Sequence, residues 1–178
     1  MVLPDWRELA RRFISAGPLS WTNQSFSIPF SALIQSFIVE DTFMIKGRIL
    51  CTEDDADSRE MLSVLLTASG YQVVCIAEPT EALRLAQEEQ FDLFLLDNWL
   101  PELSGVQLTR LIREFNISTP IIFYSGAAHE HDRHEAFAAG AQAYLYKPLA
   151  VEELISEIDK FIELSKAAQL NLLLDKHQ

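Results

Sequence analysis

From Arg48 onward, short blocks of consecutive apolar residues alternate with longer stretches in which apolar side chains recur every three or four positions, and glycine or proline stands at nearly every junction. Solid apolar blocks fit strands buried on both faces, and the three-to-four spacing fits helices with one apolar face. The first block covers residues 49–52. The helix after it is predicted to start at Asp57, which with Glu60 has the Asp-x-x-Glu form of a capping box, and to face inward through Met61, Leu62, Leu65 and Leu66. Gly70 ends that helix, and residues 71–76 form the second strand. Pro79 opens a helix with Ala82, Leu83, Leu85 and Ala86 inward, and residues 91–96 make the third strand. Gly105 begins a third helix through Val106, Leu108, Leu111 and Ile112; Pro120 then leads into a fourth strand, Ile121–Ser125, whose almost unbroken apolar character predicts a central place. A short helix over residues 132–139, a stop at Gly140, a fifth strand at Ala143–Tyr146 and a last helix from Val151 through Leu154, Ile155, Ile158, Phe161 and Ile162 complete the pattern.

Strict strand-helix alternation implies crossover connections, and right-handed crossovers put helices on both faces of a parallel sheet. The predicted fold class is α/β, a doubly wound five-stranded parallel sheet whose functional crevice lies at the carboxyl ends of the strands. The polar residues fall there. Glu53, Asp54 and Asp55 follow the first strand, Asp97 follows the third, Ser125 ends the fourth and Lys147 follows the fifth. Two like unit charges about 4 Å apart cost roughly 4 kcal/mol at an effective dielectric near 20, so such a cluster calls for a divalent cation and for Lys147 to offset it. Mg²⁺ takes one or two carboxylates and keeps several waters, which suits phosphoryl transfer onto an oxygen nucleophile better than structural metal binding. Singly, each residue has a plainer explanation: an acidic triplet as a helix start, Asp97 as a turn residue, Ser125 as a backbone cap, Lys147 as a surface charge. Their joint placement selects the site.

Composition narrows the function classes. With 178 residues, 49% of them apolar, the chain accommodates one core and an appendage. The net charge of −12 lies entirely in residues 47–178, because residues 1–46 hold four basic and four acidic side chains. Such a surface repels phosphate backbones, which argues against direct nucleic-acid binding. Cys51 and Cys75 sit inside apolar strand blocks as small packing residues and point to a reducing cytoplasm. No membrane association is expected: the longest apolar candidate, residues 28–39, is broken by Pro29 and Gln35. The stretch after Arg11-Arg12 is too short, and too closely preceded by Asp5 and Glu8, to read as an export signal.

Four segments in order, Ile-Leu-Cys-Thr-Glu-Asp-Asp at 49–55, Leu-Leu-Asp-Asn-Trp-Leu-Pro-Glu-Leu-Ser-Gly at 95–105, Ile-Ile-Phe-Tyr-Ser-Gly at 121–126 and Tyr-Leu-Tyr-Lys-Pro-Leu at 144–149, resemble the receiver domain of two-component response regulators. The resemblance spans about residues 48–162 and implies the flavodoxin-like strand order 2-1-3-4-5. It implies that Asp97 is the phosphoacceptor, attacking a phosphohistidine on a histidine kinase or phosphotransfer protein. Asp54 would bind Mg²⁺ directly and Glu53 through water, with Asp97 and the backbone carbonyl of Trp99 completing the protein ligands and Asp55 left outside. Ser125 and Lys147 would contact phosphoryl oxygens. Ser125 and Tyr144 would form the switch, Gly126 would leave room for phosphate, and the bond before Pro148 would be cis. The regulator expected is single-domain, because residues 163–178 are too few for an output domain, and it is not an enzyme in the ordinary sense. It would signal to a downstream protein target through the fourth helix, fifth strand and fifth helix, with a homodimer left open.

Trp99 and Ala127 occupy positions that tune dephosphorylation in this family, and Leu100 stands where methionine is also common. A pseudo-receiver that does not cycle phosphate is disfavoured by the complete acidic, serine and lysine set. A haloacid-dehalogenase-like phosphohydrolase would need an acid where Trp99 stands, and the absence of a Gly-x-x-x-x-Gly-Lys segment excludes a P-loop enzyme. His129, His131 and His134 have the spacing of a metal cluster, but polar residues entering an exposed helix explain them more simply; His177 lies in the tail. The domain plan expected is an extension at 1–46, irregular or helical, a receiver at 47–163 and a helical tail at 164–178. The extension holds seven of the chain's eighteen aromatics. Either Leu3, Trp6, Leu9, Ala10 and Phe13 line a short docking helix, or the native protein starts near Met44.

Overall fold

A computed structural model describes residues 45–126 and 129–175; the N-terminal helix, Ala127 and His177 of the sequence analysis lie outside the described residues. The element order is β1 (Arg48–Thr52), α1 (Ala56–Ala68), β2 (Gln72–Ile76), α2 (Pro79–Glu88), β3 (Leu93–Leu96), α3 (Gly105–Arg113), β4 (Ile121–Ser125), α4 (Glu130–Ala139), β5 (Ala143–Tyr146) and α5 (Val151–Asp175). All neighbouring strands pair in parallel, in the order β2-β1-β3-β4-β5. This is the doubly wound sheet expected from the alternation, in the flavodoxin-like order that the resemblance implies.

Every residue of β3 and β4 is buried, which is why those blocks carry no polar alternation. Successive residues of each strand serve opposite faces. Leu50, Phe94, Leu96, Ile121 and Phe123 pack with α2, α3 and α4, whereas Ile49, Cys51, Leu93, Leu95 and Ile122 pack with α1 and α5. The sheet is thereby a double-sided core, and its carboxyl edge is left for polar groups.

Two helix starts differ from the sequence expectation. The cap of α1 is Asp55, not Asp57: its backbone is still extended, and its carboxylate accepts from Ser58 N–H at 2.8 Å. Asp57 lies in the first turn, where it suits the positive end of the helix dipole without capping it. A true capping box forms instead at α3, where Ser104 Oγ accepts from Gln107 N–H at 3.2 Å and Gln107 Oε1 accepts from Ser104 N–H at 2.9 Å. The other shift is at α4, which starts at Glu130, two residues before the predicted 132. Gly140 closes α4 with φ of 108°, a conformation that strains any residue with a β-carbon.

The last buried residue of α5 is Ile162; the helix continues to Asp175 with Leu170, Leu172, Leu173 and Leu174 exposed. Among the described residues no helix is long and apolar enough to cross a membrane.

Candidate functional site

Backbone hydrogen bonds carried past the strand ends fix four side chains on one rim. Glu53 N–H donates to Ile76 C=O and Asp97 N–H to Thr52 C=O, each at 3.0 Å, and Lys147 N–H donates to Ser125 C=O at 2.9 Å. The residue after β1, the residue after β3, the end of β4 and the residue after β5 are therefore held in register by the sheet itself, and their side chains meet.

Asp97 is the centre of that meeting. Its Oδ1 accepts from Ser125 Oγ at 2.5 Å and from the Trp99 backbone N–H at 3.1 Å, and its Oδ2 accepts from Lys147 Nζ at 2.9 Å. Lys147 Nζ also donates to Glu53 Oε2. Both carboxylates are buried, Glu53 3% and Asp97 8% exposed, and the ammonium that pairs with both is a partly buried counter-charge. Burial pushes the Glu53 carboxyl above its ordinary range, and the Lys147 hydrogen bond and charge only partly offset this. Burial pulls Lys147 the other way, but its hydrogen bonds to Glu53 and Asp97 prevail and hold it above the ordinary lysine value.

Glu53, Asp54 and Asp97 each offer one carboxylate oxygen, all within 4.8 Å of one another. Asp54 is exposed and opens this cluster to a cleft of about 670 Å³ that Ser125, Gly126 and His129 also line. Hard oxygen donors, two buried and one at the mouth of a solvent-filled cleft, fit a cation that keeps part of its water shell, as Mg²⁺ does. Asp55, turned into its capping bond, is not part of the group.

The structure places the remaining predicted residues as follows. Trp99 is 67% exposed beside the cleft, while its backbone N–H anchors Asp97. The Lys147–Pro148 peptide is cis. Tyr144 lies beneath the rim, buried and stacked on Phe123 with centroids 5.5 Å apart and planes 8° from parallel. The three histidines do not converge: His131 faces Glu135 at 3.5 Å and His134 faces Glu130 at 3.6 Å along α4, and His129 lines the cleft.

Two contributors went unread in the sequence. Arg59, on the first turns of α1, donates to the backbone carbonyls of Glu53 and Asp54, each at 2.9 Å, and so clamps the acidic loop. Gly105 lets α3 begin against the back of Asp97: a β-carbon there would fall 2.2 Å from the Asp97 carbonyl oxygen. The only local sign of either is an arginine five and six residues after the acids and a glycine at a helix start.

The family model described as the response regulator receiver domain matches residues 49–159. The chain belongs to the response regulator receiver family. Among its curated relatives, the cell cycle transcriptional regulator CtrA of Caulobacter vibrioides is 33% identical over 119 residues, covering 67% of this chain and 52% of that protein. The transcriptional regulatory protein YkoG of Bacillus subtilis is 36% identical over 115 residues, covering 65% of this chain and 50% of the relative. The chain thus spans about half the length of the curated relatives it matches. Among solved structures, a CheY-like receiver domain protein of Methanospirillum hungatei superposes with a TM-score of 0.66 at 27% identity, over 68% of this chain and 97% of that one. The receiver domain of a Pseudomonas aeruginosa sensor histidine kinase, solved with a magnesium ion coordinated in its active-site cleft, superposes with a TM-score of 0.62 at 32% identity, over 66% of this chain and 98% of that one. This receiver's acidic cluster is consistent with the same kind of metal site.

Proposed function

We propose that this receiver takes a phosphoryl group from a phosphohistidine of a histidine kinase or phosphotransfer protein onto Asp97, in a Mg²⁺-dependent reaction, and that it works in the cytoplasm through contacts with a downstream protein. The observation that carries the proposal is the environment of the Asp97 carboxylate, which has a hydroxyl and an N–H on one oxygen and an ammonium on the other, beside two further acids.

One Asp97 oxygen attacks phosphorus as the phosphorus–nitrogen bond to the donor imidazole breaks. The sheet and the Trp99 N–H hold the attacking group so that little motion is needed, which removes much of the entropic cost of bringing the reactants together. Lys147 and Ser125, already on Asp97, are in reach of the oxygens that gain charge as the group transfers. Glu53, Asp54, Asp97 and the Trp99 carbonyl would hold Mg²⁺, which when bound neutralises charge shared by the carboxylates and the phosphoryl oxygens. A new phosphoryl group would draw the Ser125 hydroxyl, and Tyr144, packed beneath, would shift its balance between orientations in a change of populations within one fold. The face formed by α4, β5 and α5 would carry that change to the partner.

The test is incubation with Mg²⁺ and a small phosphodonor, followed by intact mass measurement. The mass of one phosphoryl group is expected in the natural chain and not in Asp97→Asn; the same gain in both would reject Asp97 as the acceptor. If phosphorylated and unphosphorylated forms bound every candidate partner equally, the output reading would fail.

A further inference from the structure

We infer that Cys51 and Cys75 form a peroxide-responsive dithiol, in which Cys75 is oxidised first and Cys51 closes a reversible disulfide across β1 and β2. This is a modification site separate from the phosphoacceptor, and it does not depend on that reading.

The two residues are register partners in adjacent parallel strands. Such partners sit roughly 4.8 Å apart and project to the same side of the sheet, and that spacing falls within the roughly 4.4–6.8 Å between Cα atoms that a disulfide spans. The shared side is confirmed by packing: Cys51 and Cys75 both belong to the core between the sheet, α1 and α5, whereas Leu50, Val74 and Ile76 pack on the other face. Both thiols are free.

Their positions divide the labour. β2 is an edge strand, and Cys75 is only partly buried there, so a small hydroperoxide can reach it. Cys51 is 1% exposed and cannot be reached directly. Cys75 is also the thiol beside the Ser63 hydroxyl and the Arg59 charge, both of which favour its thiolate. A reactive, reachable thiol beside a protected resolving one is the arrangement of a redox-responsive pair.

The chemistry balances with a hydroperoxide as oxidant. The Cys75 thiolate attacks the peroxide oxygen, the oxygen–oxygen bond breaks, and Cys75 becomes a sulfenic acid while the peroxide leaves as water or an alcohol. Cys51 sulfur then attacks Cys75 sulfur, the sulfur–oxygen bond breaks, and the departing hydroxide takes the Cys51 proton and leaves as water. Two thiols are oxidised to one disulfide, and one peroxide is reduced.

The full chain, reduced and freed of reductant, is to be exposed to hydrogen peroxide under folding conditions and followed by intact mass and by counting alkylatable thiols. Expected in the natural chain are loss of two hydrogen atoms, loss of both alkylatable thiols, a peptide pair linked through residues 51 and 75, and reversal by dithiothreitol. Cys51→Ser should stop at a sulfenic acid on Cys75, captured by a dimedone-type probe, and Cys75→Ser should leave Cys51 reduced. Asp97→Asn should oxidise like the natural chain. Two alkylatable thiols remaining in the folded, peroxide-treated natural chain would overturn the inference, as would disulfides only between molecules, or Cys51 oxidising equally fast when residue 75 is serine. Because the natural chain alone gives the deciding measurement, a variant that folds poorly does not spare the proposal.

Discussion

Replacing Lys147 with alanine removes the positive charge that two buried carboxylates share, and the cost can be bounded from the structure. Glu53 and Asp97 would face each other with little water to screen them, and Glu53 is already pushed above its ordinary value by burial. The protein can always escape that repulsion by protonating one acid, so the repulsive part of the loss cannot exceed the cost of that protonation. At about 1.4 kcal/mol per pH unit, bringing a glutamate of ordinary value 4.5 to its neutral form costs about 3.4 kcal/mol at pH 7 and about 0.7 kcal/mol at pH 5. Lys147, 22% exposed, gives back some desolvation when it is removed, so the expected deficit is about 2–3 kcal/mol at pH 7. The sign follows from both groups. Lys147 is held above its ordinary 10.5, so its contribution is fully present below that value and disappears only as pH rises through its folded-state value; it stays charged across pH 5–7. A carboxyl raised in the folded state binds protons more readily there than in the unfolded chain, so lowering the pH favours the folded variant. Urea unfolding of both proteins at several pH values from 5 to 7, without metal, should show the deficit shrinking to under about 1 kcal/mol at pH 5. Saturating Mg²⁺ should also shrink it at pH 7, by supplying positive charge to the same acids. A deficit that stayed constant over that pH range, or one below about 0.5 kcal/mol at pH 7, would refute the claim that Lys147 compensates buried carboxylates.

Further outcomes follow from other contacts. Gly105→Ala should cost about 2–4 kcal/mol and lower phosphoryl incorporation at the same time, because its β-carbon meets the Asp97 carbonyl at 2.2 Å and neither backbone can yield alone; an unchanged melting curve would contradict this. In the natural chain, Mg²⁺ at about 100 times its Kd should add about 2.7 kcal/mol of stability, and exposed Asp54→Ala should abolish most of that gain while leaving metal-free stability near the natural value. Tyr71 donates to Asp159 at 2.5 Å and Lys46 pairs with the same carboxylate at 2.9 Å. Burial raises Asp159, but those two hydrogen bonds prevail and hold it below its ordinary 3.8. Tyr71→Phe should cost about 0.5–1 kcal/mol near neutral pH, discounted for partial exposure. Because a depressed carboxyl contributes above its unfolded value, the difference should fade as pH falls through and below 3.8; a difference unchanged in acid would assign the effect to packing.

The layout of strands and helices is legible in the letters because burial on both sheet faces admits almost nothing but apolar residues. The blocks at β1, β3 and β4 contain little else. Once those blocks are strands of a parallel sheet, Glu53, Asp97, Ser125 and Lys147 must come to one edge, because every strand of such a sheet points the same way. What the letters leave undecided is which of several chemically equal neighbours takes which position. Asp55 and Asp57 can both cap a helix, and only the extended backbone leaving β1 gives the role to Asp55 and removes it from the acidic group. Arg59 as a clamp, the room that Gly105 leaves for Asp97, and the pairing of Cys51 with Cys75 each depend on distances across separate elements. Such distances come from packing and register, which join residues far apart in the chain, while local periodicity reports only which side of its own element a residue occupies.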